Sequence, residues 1–162
     1  MRGSTWGRSM ARPGVPRLGG ALLVVLCALA PAAHAQDVGF RVVVNEENTL
    51  VSLTPEDLGR IFLKRVTNWE NGMRIAPVDQ TNESRVRGVF SETVHGRSAS
   101  AIVSHWQQQI FSGRDVPPVE KRTDAEVIEY VRTHPGAIGY VTPNASTAGV
   151  RVIEVVRVVQ VR

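Results

Sequence analysis

Leu53-Thr54-Pro55-Glu56-Asp57-Leu58-Gly59-Arg60-Ile61-Phe62 decides how the rest of this chain is read. Thr54 suits an N-cap, Pro55 suits the first helical position, and Glu56 and Asp57 lie where a helix dipole favours acids. Leu58, Ile61 and Phe62 then fall on one face at helical spacing, so the segment predicts a helix packed on a core. Upstream, Arg41 to Val44 is a β-branched run that reads as a buried strand, closed by the polar stretch Asn45 to Thr49. Downstream, Asn71-Gly72 marks a turn before Ile75 to Val78, a second short strand.

The alternation continues to the C-terminus. From Ser84, the spacing of Val86, Val89, Phe90 and Thr93 predicts a helix that stops at Gly96. A third helix runs from about Ser98 with Ile102, Trp106 and Ile110 on its inner face and ends near Gly113. Pro117-Pro118 forces an extended connection. Thr123 and Glu126 form a capping box for a helix that turns Val127, Tyr130 and Val131 inward and ends at Pro135-Gly136. Ala137 to Val141 and Val150 to Val159 read as the last strands. Strands interleaved with helices indicate an α/β layered fold with a mainly parallel sheet flanked by helices.

Residues 1–35 read as a Sec-type signal peptide. Arg2, Arg8, Arg12 and Arg17 precede the apolar run Ala21 to Ala30, and Ala33-His34-Ala35 is a small-x-small site with cleavage after Ala35. The apolar run is far short of the ~20 residues that span a bilayer, and no later segment matches it, so no transmembrane segment is expected after cleavage. The expected location is periplasmic or secreted, with residues 36–162 as one domain. The single cysteine, Cys27, lies inside the signal. Bulky Leu26 before it argues against lipidation, and the remaining chain has no thiol for a disulfide or a metal. The four signal arginines also account for the formal charge of +4, because nineteen basic residues less four leaves fifteen against fifteen acidic ones. A neutral chain with scattered charges gives no reason to expect nucleic acid as a partner.

The pieces Leu53 to Phe62, Asn68-Trp69, Pro77-Val78-Asp79-Gln80, Ser84 to Phe90 and Pro135-Gly136-Ala137-Ile138-Gly139-Tyr140-Val141 resemble, in order, the second lobe of phosphate ABC transporter substrate-binding proteins. The resemblance covers nearly all of residues 41 to 155 and implies a single lobe of a type II periplasmic-binding-protein-like fold. It implies phosphate or another small oxyanion as ligand, with ABC transporter membrane subunits or another periplasmic protein as partners, and it leaves a homo-oligomer open. In that family this lobe supplies an arginine followed by Ser-Gly-Thr at a helix start, where unpaired backbone N–H groups, hydroxyls and a forked guanidinium face the anion. Here Gln80 stands where the arginine is expected, and Ser84-Arg85-Val86 where Ser-Gly-Thr is expected.

The candidate ligand-binding residues are therefore Ser84, Arg85, Gln80 and Arg87. Each has a plainer reading: Ser84 as an N-cap, Arg87 as a solvated surface arginine, and Arg85 as a side chain that blocks the space a glycine would leave. Glu83 next to the cap repels phosphate; at ~4 Å and an effective dielectric near 20 the cost is on the order of 4 kcal/mol. The family's other lobe, which supplies half of the anion contacts, has no counterpart before Arg41, and an anion on one open face gains little per ionic contact. Weak oxyanion binding is thus the first functional reading. The alternative is a protein-interaction or sensory module that kept the fold and lost the solute, with the Val156 to Arg162 tail as a pairing edge.

No catalytic set emerges, and neither a metal nor a cofactor is expected. His95, His105 and His134 show no i, i+4 pair and read as surface or capping residues. Gly136-Ala137-Ile138-Gly139 leads into a strand rather than cradling a phosphate. Trp69 and Trp106 read as core.

Overall fold

The computed structural model describes residues 39–156. The expected signal peptide and the end of the tail lie outside them. The elements run β1 (Arg41–Asn45), β2 (Ser52–Leu53), α1 (Pro55–Phe62), β3 (Ala76–Gln80), α2 (Arg85–Phe90), a π-helical turn (Ser91–His95), α3 (Ala99–Phe111), β4 (Val119–Lys121), α4 (Asp124–Thr133), β5 (Ala137–Val141) and β6 (Val150–Val155). One six-stranded sheet has the order β2-β6-β1-β5-β3-β4. Three of its pairings are parallel, and the two antiparallel ones both involve β1, against β5 and β6.

Strand alternation splits the core into two layers. Val42 and Val44 of β1 and Ile138 and Tyr140 of β5 face Leu58, Ile61, Phe62 and Phe90. Val43, Ala137 and Val141 face Val127 and Val131 of α4 on the other side. The first layer is aromatic: Phe90 stacks on Tyr140 with ring centroids 3.9 Å apart, and Phe62 tilts against both. Helix α4 sits close because β5 offers no side chain at Gly139, where a Cβ would come within 2.7 Å of Val127 and 2.8 Å of Val78.

Most expected caps are present. Thr54 accepts from the Asp57 N–H, and Thr123 with Glu126 forms the complete capping box of α4. Several expectations are corrected. Ile110 is 51 % exposed, because α3 buries only Ile102 and Trp106. Strand β6 ends at Val155, and Arg157 onward lies outside the described residues. The short edge strands β2 and β4 escaped the pattern because neither alternates. Helix α2 passes into a π turn before Gly96, in the left-handed conformation at φ 60°, stops it.

His95 ends that π turn and is half-buried rather than on the surface, its ring edge-on to Phe90 at 5.9 Å and against Gly59. Burial, helped by His105, Arg97 and Arg65, pulls its pKa from 6.5 down to about 4. The unfolded chain therefore binds the proton more readily between those values, and stability falls as pH drops through that window while remaining full above about 6.5. The expected contribution is on the order of 2 kcal/mol after allowance for residual exposure. Thermal melts at pH 7 and pH 5 should show a smaller acid loss in His95→Gln than in the parent; equal losses would place the effect elsewhere.

Candidate functional site

The four candidate residues converge where β3 ends and α2 begins. Gln80, the last residue of β3, is 2 % exposed. Its side-chain amide donates to Asp124 Oδ1 at 2.9 Å and to the Tyr140 carbonyl at 3.1 Å, and its Oε1 accepts the Ser84 hydroxyl at 2.6 Å. Ser84 occupies the N-cap position of α2 but makes no side-chain capping bond, since its proton is committed to Gln80. The first intrahelical bond of α2 runs from Gly88 N–H to the Ser84 carbonyl, so the N–H groups of Arg85 and Val86 have no intrahelical acceptor. Arg85 is exposed and takes part in none of the ion pairs seen among the described residues.

Arg87 departs from its reading as a solvated arginine. It is 2 % exposed, lies 3.1 Å from Asp79 Oδ2 and 2.6 Å from Glu120 Oε1, and donates to the Gln80 carbonyl. Asp79 is itself buried and accepts from the Tyr140 hydroxyl and, at 2.8 Å, from the Gln80 N–H. Burial pushes the Asp79 carboxyl above its ordinary range although Arg87 pulls it down, and burial beside Asp79 raises the Tyr140 phenol. Asp124, at the start of α4, accepts from Thr142 Oγ1 at 2.5 Å and from the Thr142 N–H at 3.2 Å as well as from Gln80.

Two linked networks therefore occupy this corner. In one, Arg87 bridges Asp79 and Glu120; in the other, the Asp124 carboxylate accepts the Gln80 side-chain amide and the Thr142 hydroxyl and N–H. The sequence pointed to Gln80, Ser84, Arg85 and Arg87 but missed Asp79, Glu120, Asp124, Tyr140 and Thr142. A signal for Asp79 was present: a carboxylate inside the strand Ala76–Gln80 needs a buried cation, and in the structure Arg87, one turn before buried Ser91, supplies it. Among the described residues, no group of three or more His, Cys, Asp or Glu side chains is placed to hold a metal ion.

Comparison with solved structures returns the same architecture. A Clostridium perfringens protein, a candidate phosphate ABC transporter substrate-binding protein with bound phosphate, superposes with TM-score 0.59 at 21 % identity over 72 % of this chain and 44 % of its own. An ABC-type phosphate transport receptor from Vibrio cholerae gives TM-score 0.56 at 20 % identity over 72 % of this chain and 46 % of its own. At these identities the likeness is one of fold, and the matched part spans less than half the length of either structure. No curated protein matches. The family model described as "PBP superfamily domain" matches residues 33–153, most of the chain. The fold, its two-layered core and that match agree, and this chain belongs to the PBP superfamily.

Proposed function

We propose that this chain is an exported substrate-binding-protein-like domain, residues 36–162 after removal of a signal peptide, that binds a small oxyanion weakly at the turn into α2. Phosphate is the first candidate, because the Clostridium perfringens protein of this fold has phosphate bound and the Vibrio cholerae one is a phosphate transport receptor. Arg85 supplies the charge, the N–H groups of Arg85 and Val86 supply donors, and the Ser84 hydroxyl contributes when it leaves Gln80. Gln80 and Arg87 shape the turn from within. A role in solute binding also provides the partner class, the membrane subunits of an ABC transporter.

The observation that carries this reading is the diversion of the Ser84 hydroxyl to Gln80, which leaves the first N–H groups of α2 uncapped beside exposed Arg85. Affinity is held down by Glu83, Glu120 and Asp124 nearby and by the open face. A few solvent-exposed contacts of up to ~1 kcal/mol each give a dissociation constant on the order of millimolar. Calorimetric titration of the exported chain with inorganic phosphate should give saturable millimolar binding that Arg85→Ala weakens about fivefold, the loss of one surface ionic contact of ~1 kcal/mol. Absence of saturation up to tens of millimolar, or retention of affinity in Arg85→Ala, would reject the site.

The burial of Arg87 among Asp79, Glu120 and the Gln80 carbonyl favours a second reading, a protein-interaction or sensory module. In that case phosphate has no effect and the chain associates, with a second copy as the simplest partner. Sedimentation of the chain with and without residues 156–162 separates the two: a change in mass on deletion supports association through the tail.

A further inference from the structure

Away from the α2 turn, the ends of α1 and α3 meet around a cleft of about 310 Å³ whose wall is Trp106 and whose rim carries Lys64, Arg65, His105, Arg114 and Asp115. Its charges do not cancel. Lys64 pairs with Asp115 at 3.5 Å and lies 6.0 Å from the Trp106 ring centroid. Arg65 and Arg114 take part in none of the ion pairs seen among the described residues. Two helix C-termini also favour cations, which is the ordinary explanation for such residues. That explanation falls short, since about half a negative charge from each helix end and one from Asp115 leave roughly one of three positive charges unbalanced.

The backbone places these cations firmly. Lys64 N–H bonds the Ile61 carbonyl at 2.9 Å and Arg65 N–H the Arg60 carbonyl at 2.8 Å, while Arg114 N–H bonds the Gln109 carbonyl at 3.0 Å. Lys64 sits at φ 53°, the one non-glycine residue with positive φ among the described residues. Helix-ending positions of this kind normally take glycine, and a side chain there costs on the order of 1 kcal/mol. The chain thus accepts backbone strain to set an ammonium on the rim of a cleft that is already basic.

We infer that this cleft is a second, separate anion site for a small oxyanion carrying two or more negative charges, held by Arg65 and Lys64 from the end of α1 and by Arg114 from the end of α3. The chemistry is shared by phosphate-type and carboxylate-type polyanions, so pyrophosphate and citrate serve as the two probes, each titrated at ionic strength matched with sodium chloride. Binding to the full exported chain, followed by thermal shift and calorimetry, should saturate for at least one probe. The probe that binds tighter identifies the ligand type. Arg65→Ala and Arg114→Ala should each weaken it about fivefold, the loss expected for one surface ionic contact of ~1 kcal/mol. Lys64→Gly, which keeps the turn, should weaken it too. Arg85→Ala should leave it unchanged, which separates this site from the α2 turn. Failure of both probes to saturate beyond the salt control, unchanged affinity in Arg65→Ala and Arg114→Ala, or loss in Arg85→Ala would each overturn the assignment.

Discussion

Replacement of Arg87 by methionine should lower the unfolding free energy by about 3–5 kcal/mol, the loss seen when one partner of a buried ion pair is removed. Asp79 would remain 7 % exposed with its nearest cation gone, and Glu120 would lose its 2.6 Å partner. Burial already works against the charged form of Asp79, so the variant must either protonate this carboxyl or unfold more readily. Asp79→Asn combined with Arg87→Met should recover part of the loss, because it removes the stranded charge. Urea denaturation of the parent, the single variant and the double variant gives the coupling directly. An arginine kept for an external anion behaves differently: without its ligand it carries no carboxylate burden, and its loss would be neutral or mildly stabilising.

Gly136→Ala should be comparably severe, at roughly 3 kcal/mol. A Cβ at this position would stand 2.1 Å from the Arg74 carbonyl oxygen, a backbone atom that cannot rotate away. Gly136 cannot retreat either, since its own carbonyl accepts the Ala76 N–H at 3.0 Å and the Trp69 indole N–H at 3.1 Å. A shift would uncouple the loop before β3 from the start of β5 and release Trp69. Gly88→Ala in α2 is the control. Nothing lies within 4 Å of its Cβ position, so the helix should gain up to ~1 kcal/mol. Equal melting temperatures for the two variants would show that the close approach at Gly136 is not maintained in solution.

The fold was legible because its main elements are local. The Thr54-Pro55 start, the Thr123 to Glu126 capping box and the apolar stretches at β1 and β5 carry their own signals, and all four stand where expected. What the sequence concealed is non-local. The antiparallel placement of β1 between β5 and β6 depends on pairings across about a hundred residues, and β2 and β4 become strands only because β6 and β3 offer them an edge. The candidate site divides along the same line. Gln80, Ser84, Arg85 and Arg87 could be found by position alone, but their partners Glu120, Asp124, Tyr140 and Thr142 come from β4, α4, β5 and the loop after it. His95 shows the same limit, since its burial follows from α1 packing on the π turn.

The central claim is that this corner is shaped from within by Gln80 and Arg87 and meets a solute only at the outer turn of α2. Amide and arginine side-chain NMR during a phosphate titration tests it most directly. Within this corner the expected shifts fall on the Ser84, Arg85 and Val86 amides with a midpoint on the order of millimolar, with a smaller one on the Gln80 side-chain amide as the Ser84 hydroxyl leaves it, while the Arg87 guanidinium signal stays in place. Large shifts of the Arg87 guanidinium, or saturation at submicromolar phosphate, would contradict it.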